Sequence, residues 1–268
     1  MIVAVSDSFD DLRAPGVRFL EEAGRLGQVS AYLWSDRLVE RLSGQLPKFP
    51  QAERQYYLSA IRYVSQVTLV DDLPGSGVFP PGAPLDLVAA PGEDHPSAVF
   101  SRRHGLRCVM IDAERTRGFP PPPVMDKLHT PGRKKVLVTG CYDWLHSGHV
   151  RFFEEAAGYG ELYVIVGNDA NVTHLKGEGH PLFPQDLRRY MAGSIRTVHQ
   201  ALITSGWGWM DAEPEIDELR PDIYLVNEDG DKPEKRAFCA EHGLEYVVLA
   251  RRPAPGLEKR SSTDLRGF

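Results

Sequence analysis

Two histidines three positions apart, His146 and His149, have the residue type and spacing for chemistry. They follow a short apolar run, 136–140, which is typical of a buried strand that ends in a turn. From Ser147 the apolar spacing becomes helical, so both imidazoles lie at a helix start and can face the same way. Because the unpaired N–H groups of a first helical turn favour an anion, this stretch predicts a phosphate site.

The elements that would position this site are strands that alternate with helical stretches. Strands are expected near 1–6, 28–34, 67–70, 86–90 and 106–111, and again near 134–140, 161–167, 200–204, 222–227 and 245–250. This alternation predicts an α/β protein with doubly wound parallel sheets. Such sheets bind ligands beyond the carboxyl ends of their strands, where the strand order reverses, and the histidine turn lies at such an end.

The chain contains an internal repeat, which predicts two tandem domains of the same fold. Residues 10–23 align without a gap with 143–156, residues 47–54 with 181–188, and residues 104–106 with 242–244. We therefore expect a first domain over 1–118, a proline-rich linker over 119–133 and a second domain over 134–268.

The two copies differ where the chemistry would lie. Arg13 occupies the position of His146, and Gly16 occupies that of His149. By contrast, the first copy retains an aspartate, Asp10, at the position of Asp143. The first domain is therefore interpreted as a degenerate, catalytically silent copy of the second.

Composition limits the classes of function. With 268 residues, 42% apolar residues and 25% charged residues, the chain suits globular domains. A net charge of −6 argues against nucleic-acid binding. No run is long enough for a membrane span, and the start does not resemble a signal peptide. Three scattered cysteines, Cys108, Cys141 and Cys239, favour a reduced, cytoplasmic protein.

The pattern Gly140-x-Tyr142-Asp143-x-x-His146-x-Gly-His149 resembles the signature of the HxGH nucleotidyltransferases, the cytidylyltransferase-like superfamily. Further matches follow in the family's order: Lys176-Gly177, then an arginine at position 188, and finally Arg260-Ser-Ser-Thr at 260–263. The resemblance covers the second half fully and the first half as an altered copy. It implies Rossmann-like domains and a second half that is the active nucleotidyltransferase.

The resemblance also implies the reaction and its residues. An oxygen of a phosphorylated acceptor would attack the α-phosphorus of a nucleoside triphosphate, and pyrophosphate would leave. His146, His149 and Lys176 would be catalytic. The implied nucleotide-binding residues are Gly140, Tyr142, Asp143, Arg188, Asn227, Asp229, Arg260, Ser261, Ser262 and Thr263. Asp169 would contact substrate or cap the next helix. Magnesium would arrive with the triphosphate, because no protein metal cage is visible.

Several alternatives stay open at this stage. Phosphoethanolamine and glycerol-phosphate cytidylyltransferases resemble this chain and imply CTP, whereas heptose-phosphate adenylyltransferases resemble residues 175–181 and imply ATP with a sugar phosphate. A nucleotide-binding regulator without turnover is a further class. Zinc held by the histidines with Cys141 or Asp143 is disfavoured, because no fourth ligand has suitable spacing. We expect a monomer in which the first domain replaces a dimer partner, or a weak homodimer.

Overall fold

A computed structural model of the protein describes residues 1–73, 77–125 and 128–265, without the side chains of Thr263 and Asp264. Contacts divide the chain into two compact units, Met1–Phe119 and Pro120–Phe268. Each unit contains one five-stranded sheet. Within the described ranges, every helix is too short or too polar to cross a membrane.

The first unit is a parallel sheet with helices between its strands. Its strands are β1 (Ile2–Asp7), β2 (Gln28–Trp34), β3 (Val64–Val70), β4 (Leu87–Ala90) and β5 (Cys108–Met110), and its helices are α1 (Ala14–Gly24), α2 (Asp36–Ser43), α3 (Gln51–Ala60) and α4 (Pro96–His104). The strand order is β3-β2-β1-β4-β5. The order reverses between β1 and β4, which is the switch point of this sheet.

The second unit has the same architecture. Its strands are β6 (Lys135–Gly140), β7 (Glu161–Val166), β8 (Val198–Ile203), β9 (Ile223–Asn227) and β10 (Glu245–Leu249), and its helices are α5 (Ser147–Ala157), α6 (Asp169–Lys176), α7 (Gln185–Gly193), α8 (Glu213–Leu219), α9 (Pro233–Glu241) and α10 (Ser262–Leu265). The order β10-β9-β6-β7-β8, read from its other edge, repeats that of the first unit. The prediction of two tandem doubly wound α/β sheets is confirmed.

Burial explains why these segments form strands. All six residues of β7 are buried, and Val136, Leu137 and Val138 in β6 are fully inaccessible. Continuous apolar runs of this kind are typical of parallel strands that are covered on both faces. The edge strand β3 begins at Val64, three residues before the predicted start. The prediction began too late because the exposed polar residues Ser65 and Gln66 interrupt the apolar run on which it was based.

The segment predicted as the linker is bonded to the second unit. The main-chain oxygen of Pro120 accepts from Arg189 Nη2 at 2.7 Å, and that of Pro123 accepts from Gln200 Nε2 at 2.7 Å. Further along, Thr130 N donates to Glu161 at 3.2 Å, and His129 Nδ1 lies 2.6 Å from Glu161 Oε2. Burial alone would raise the pKa of Glu161, but the hydrogen bonds from Thr130 and His129 outweigh it and hold this pKa at about 2.

Candidate active site

A pocket of about 270 Å³ opens above the carboxyl ends of β6 and β9, the two strands at the switch point of the second unit. Its wall includes the turn after β6, the first turn of α5, the end of α6 and the residues that follow β9. Most of the residues predicted for the site belong to these four elements. The strand order therefore brings together side chains that are far apart in the sequence.

The two histidines cap the start of α5 reciprocally. His146 is the N-cap residue, and its Nδ1 accepts from Gly148 N at 3.1 Å, while Nδ1 of His149 accepts from His146 N at 3.3 Å. Since Nδ1 is the acceptor in both rings, the proton of each neutral imidazole lies on Nε2. The rings lie 4.0 Å apart between centroids and both line the pocket. Each can donate one N–H bond to a ligand.

His149 is electrostatically unusual. Burial, together with the positive charge of Arg251, lowers its pKa to about 3 although the negative charge of Asp229 opposes the change. The Tyr142 ring closes over it edge-on, with 5.4 Å between centroids. In the absence of a ligand, His149 is therefore a neutral donor at neutral pH.

Two glycines allow the close packing of this turn. A Cβ on Gly140 would lie 2.8 Å from Cζ of Tyr142, which has φ +50°. A Cβ on Gly148 would lie 2.9 Å from Cε1 of His146 and 3.8 Å from the main-chain oxygen of Arg260. Because real Cβ atoms almost never approach to less than 3 Å, a side chain at either position would displace the ring beside it.

Asp143 lies in the pocket wall, but its carboxylate is engaged by the backbone. It accepts from Leu182 N at 2.8 Å and from Phe183 N at 2.9 Å, which fixes the segment before α7 against the histidine turn. In the first unit, Asp10 makes the same bonds to Lys48 N and Phe49 N, at 2.7 and 3.0 Å. We therefore assign Asp143 an orienting role, a role that Asp10 has in the first unit.

Arg188 lies beneath the pocket, and its side chain is fully buried. Its nitrogens donate to the main-chain oxygens of Phe183 at 2.8 Å, Cys141 at 2.6 Å and Gly167 at 2.7 Å, and to Asp169 Oδ1 at 2.7 Å. All three nitrogens of the guanidinium group therefore donate hydrogen bonds to other groups of the protein. This geometry favours a positioning role for Arg188 over the predicted phosphate contact.

Asp169 and Lys176 lie at opposite ends of α6. The Asp169 carboxylate is bound to the buried guanidinium just described and lies outside the pocket wall, so the structure gives it no contact with a ligand bound there. Lys176 lines the pocket and forms no ion pair within the described ranges. Because the next residue, Gly177, has φ +88°, the chain turns away at once and leaves the lysine at the pocket edge.

The C-terminal segment is bonded to the histidine turn through the side chain of Ser262. Ser262 lines the pocket, and its hydroxyl donates to the Trp144 main-chain oxygen at 3.1 Å. Arg260 and Ser261 lie outside the pocket wall, although the main-chain oxygen of Arg260 accepts from Arg251 at 3.1 Å. The predicted contact of the Thr263 side chain lies outside the described residues.

The end of β9 supplies the opposite wall of the pocket. Asn227 and Asp229 both line it, as predicted for base or acceptor recognition. Asp229 pairs with Arg251 at 2.6 Å, and Arg251 also lines the pocket. Sequence reasoning missed Arg251. This residue comes just after β10, and only the order of the strands in the sheet brings the end of β10 close to the site. Lys235 of α9 also lines the pocket and was missed for the same reason.

Comparison with known proteins gives the family. The family model described as cytidylyltransferase-like matches residues 137–267. An FAD synthase from Aciduliprofundum boonei is 33% identical over 136 residues, which cover 50% of this chain and 84% of that protein. The chain belongs to the cytidylyltransferase-like nucleotidyltransferases. Its first half lies outside the matched range, so the likeness of that half rests on the internal repeat.

Two further comparisons with this nucleotidyltransferase each cover about half of the chain. The bifunctional protein HldE from Azotobacter vinelandii is 33% identical over 144 residues, 52% of this chain and only 28% of that protein. A crystal structure of the lipopolysaccharide core biosynthesis protein from Thermoplasma volcanium superposes with a TM-score of 0.39 and 25% identity, covering 45% of this chain and 99% of that one.

The first unit of this nucleotidyltransferase has a larger cavity of opposite charge. About 490 Å³ opens over β1 and β4, the equivalent switch point. Its charged wall consists of four carboxylates, those of Asp7, Asp10, Asp11 and Asp112, against Arg13, which is ion-paired with Asp11. The pocket of the second unit has three cations, Lys176, Lys235 and Arg251, against the carboxylates of Asp143 and Asp229. A polyphosphate is therefore favoured in the second unit and repelled in the first.

Proposed function

We propose that the second unit transfers a nucleoside monophosphate from a nucleoside triphosphate to a small phosphorylated acceptor. An acceptor oxygen forms a bond to the α-phosphorus, the bond from that phosphorus to the bridging oxygen breaks, and pyrophosphate leaves with the electron pair. The observation that carries the proposal is the reciprocal cap of α5, which leaves Nε2 as the donor of each ring and places both rings in the wall of a cation-rich pocket.

The residues act by positioning and by neutralising charge. His146 and His149 would donate hydrogen bonds to oxygens of the transferring phosphate. Lys176 would neutralise the negative charge that develops on the departing pyrophosphate. A bound polyphosphate brings negative charge to His149 and raises its pKa from about 3, which strengthens its hydrogen bond. Ser262 adds a hydroxyl beside the same helix start.

A divalent cation bound to the triphosphate suits this pocket. Within the described ranges, no three His, Cys, Asp or Glu side chains are grouped as metal ligands. The Asp143 carboxylate is engaged by two main-chain N–H groups, and that of Asp229 is engaged by Arg251. A magnesium ion would therefore be held by phosphate oxygens and water, and it would neutralise part of their charge.

ATP is the triphosphate that the relatives favour. FAD synthase, by its name, forms a flavin adenine dinucleotide, and this product is an adenylyl group joined to a flavin phosphate. We therefore propose adenylyl transfer, with flavin mononucleotide and sugar phosphates as the first acceptors to try. Cytidylyl transfer is the second candidate, since the description of the matching family model favours it.

Pyrophosphate release tests the proposal. Purified full-length protein is supplied with ATP or CTP, magnesium and a panel of phosphorylated acceptors. His149→Ala should lower turnover by roughly 100- to 1000-fold, the usual effect of removing one donor to a developing charge. His104→Ala is the matched control, because His104 lies in the first unit, where its ring packs at a tilt against Phe100. Unchanged turnover in His149→Ala would contradict the role of the cap, and binding without release from any acceptor would favour a regulator.

A further inference from the structure

Lys235 is a cation of the pocket wall that the proposed mechanism does not use. It lies on α9 and faces the pocket from the side of β9. Its Nζ lies beside Gly230, since a Cβ on that glycine would lie 4.0 Å from it, and it lies 5.7 Å from the centroid of the Tyr224 ring. The ammonium is thus held between an aromatic face and the pocket.

This ammonium has no counter-ion within the described ranges. The two carboxylates that act on it electrostatically are committed to other groups: Asp229 pairs with Arg251 at 2.6 Å, and Asp211 accepts from the Thr204 hydroxyl at 2.8 Å. Burial lowers the Lys235 pKa, and the neighbouring charge of Lys232 lowers it further.

Partial burial of an ammonium without a counter-ion costs folding free energy, and such groups are enriched where a ligand supplies the charge. The Tyr224 ring offers only a weak cation–π contact at this distance. Its own hydroxyl lies 2.6 Å from Oγ1 of Thr139, a residue of the pocket wall, and this contact fixes the buried ring next to that wall. The ring that Lys235 contacts is therefore fixed before the ligand arrives.

We propose that Lys235 binds a phosphate group of one of the two substrates, on the side of the pocket opposite to Lys176. This inference rests on the proposed function, because it assumes that both substrates carry phosphate. The phosphate belongs either to the triphosphate or to the acceptor, and the chemistry of recognition is the same. Lys235 is then a further binding residue, and it selects for a substrate that is anionic at this point.

Calorimetric binding tests the proposal without any turnover. Inorganic pyrophosphate represents the triphosphate, and inorganic phosphate, added after a non-hydrolysable triphosphate analogue, represents the acceptor. Lys235→Gln should weaken one of these two affinities by roughly 10- to 100-fold, as expected for loss of a charge-assisted hydrogen bond. Lys235→Arg should retain most of the affinity. Lys134→Gln is the matched control, because Lys134 is exposed at the amino end of β6 and pairs with Glu245.

The two probes separate the sources of the phosphate. Weaker pyrophosphate binding assigns Lys235 to the triphosphate, and weaker phosphate binding assigns it to the acceptor. If Lys235→Gln binds both anions as tightly as Lys134→Gln does, the proposal is overturned. A protein that binds anions through Lys235 but releases no pyrophosphate would instead refute the proposed function and leave this inference standing.

Discussion

Replacing Arg188 by lysine separates a structural role from a phosphate contact. The arginine makes four hydrogen bonds of 2.6–2.8 Å, three of them to the main-chain oxygens of Phe183, Cys141 and Gly167. A lysine keeps the charge but lacks the planar fork, so it leaves at least two of these acceptors without a donor. At about 1–3 kcal/mol for each, the second unit should lose roughly 2–6 kcal/mol of unfolding free energy.

The first unit supplies the matched variant. Arg54 donates to the main-chain oxygens of Phe49 and Trp34 at 2.9 Å, to that of Ser8, and to Asp36 at 2.7 Å. Arg54→Lys should therefore destabilise its own unit by a similar amount, although no catalytic role is assigned to that unit. Urea unfolding measures the loss, and hydrogen exchange of the strand amides shows which unit opens.

The two interpretations of Arg188 give opposite results. If its function is to hold the turn after β6 in place, Arg188→Lys lowers stability, and activity falls with the folded fraction and with the loosened turn. If Arg188→Lys unfolds at the urea concentration of the wild type but loses turnover, its guanidinium binds phosphate in solution. That second result would falsify the positioning role.

Three further predictions concern the histidine turn and the segment before β6. The pKa of the His149 imidazole should be near 3 in the free protein, far below 6.5, and it should rise when a triphosphate binds. Nuclear magnetic resonance of the ring carbons measures both values. A pKa near 6.5 in the free protein would contradict the argument from burial. Gly148→Ala should lower turnover by about 10-fold or more, because its Cβ displaces the His146 ring, and an unchanged rate with an unchanged melting temperature would contradict this. The Glu161 carboxylate should stabilise the fold fully above pH 4.5, and this contribution should be lost as the pH falls towards 2. Glu161→Gln should remove the contribution, which acid unfolding measures. If the variant and the wild type unfold in parallel as the pH falls, the prediction is wrong.

The sequence was sufficient for the fold and for the centre of the site. Apolar runs predicted every strand, since each central strand is buried on both faces, and the spacing of His146 and His149 predicted that both would face one pocket. These features are local, so a few neighbouring residues determine them. The predicted cytoplasmic location and the oligomeric state depend on no such local pattern, and they stay predictions.

Other parts of the site could not be predicted, because they depend on distant backbone. An arginine that binds phosphate and one that binds main-chain oxygens look alike in a sequence, and only the fold brings Cys141, Gly167 and Phe183 around Arg188. One signal was available, namely that the first copy of the repeat retains Arg54 at the position of Arg188. Lys235 and Arg251 gave no signal, since their place in the pocket depends on the order β10-β9-β6.

The residues shared by the two units separate scaffold from chemistry. Asp10 and Asp143 fix equivalent segments, and Arg54 and Arg188 fix equivalent turns, so none of the four can account for a difference in activity between the units. The units differ instead in the sign of the charge around their switch points. Since both sheets have the same order, the fold alone cannot decide which cavity accepts a polyphosphate; the side chains at the strand ends decide it.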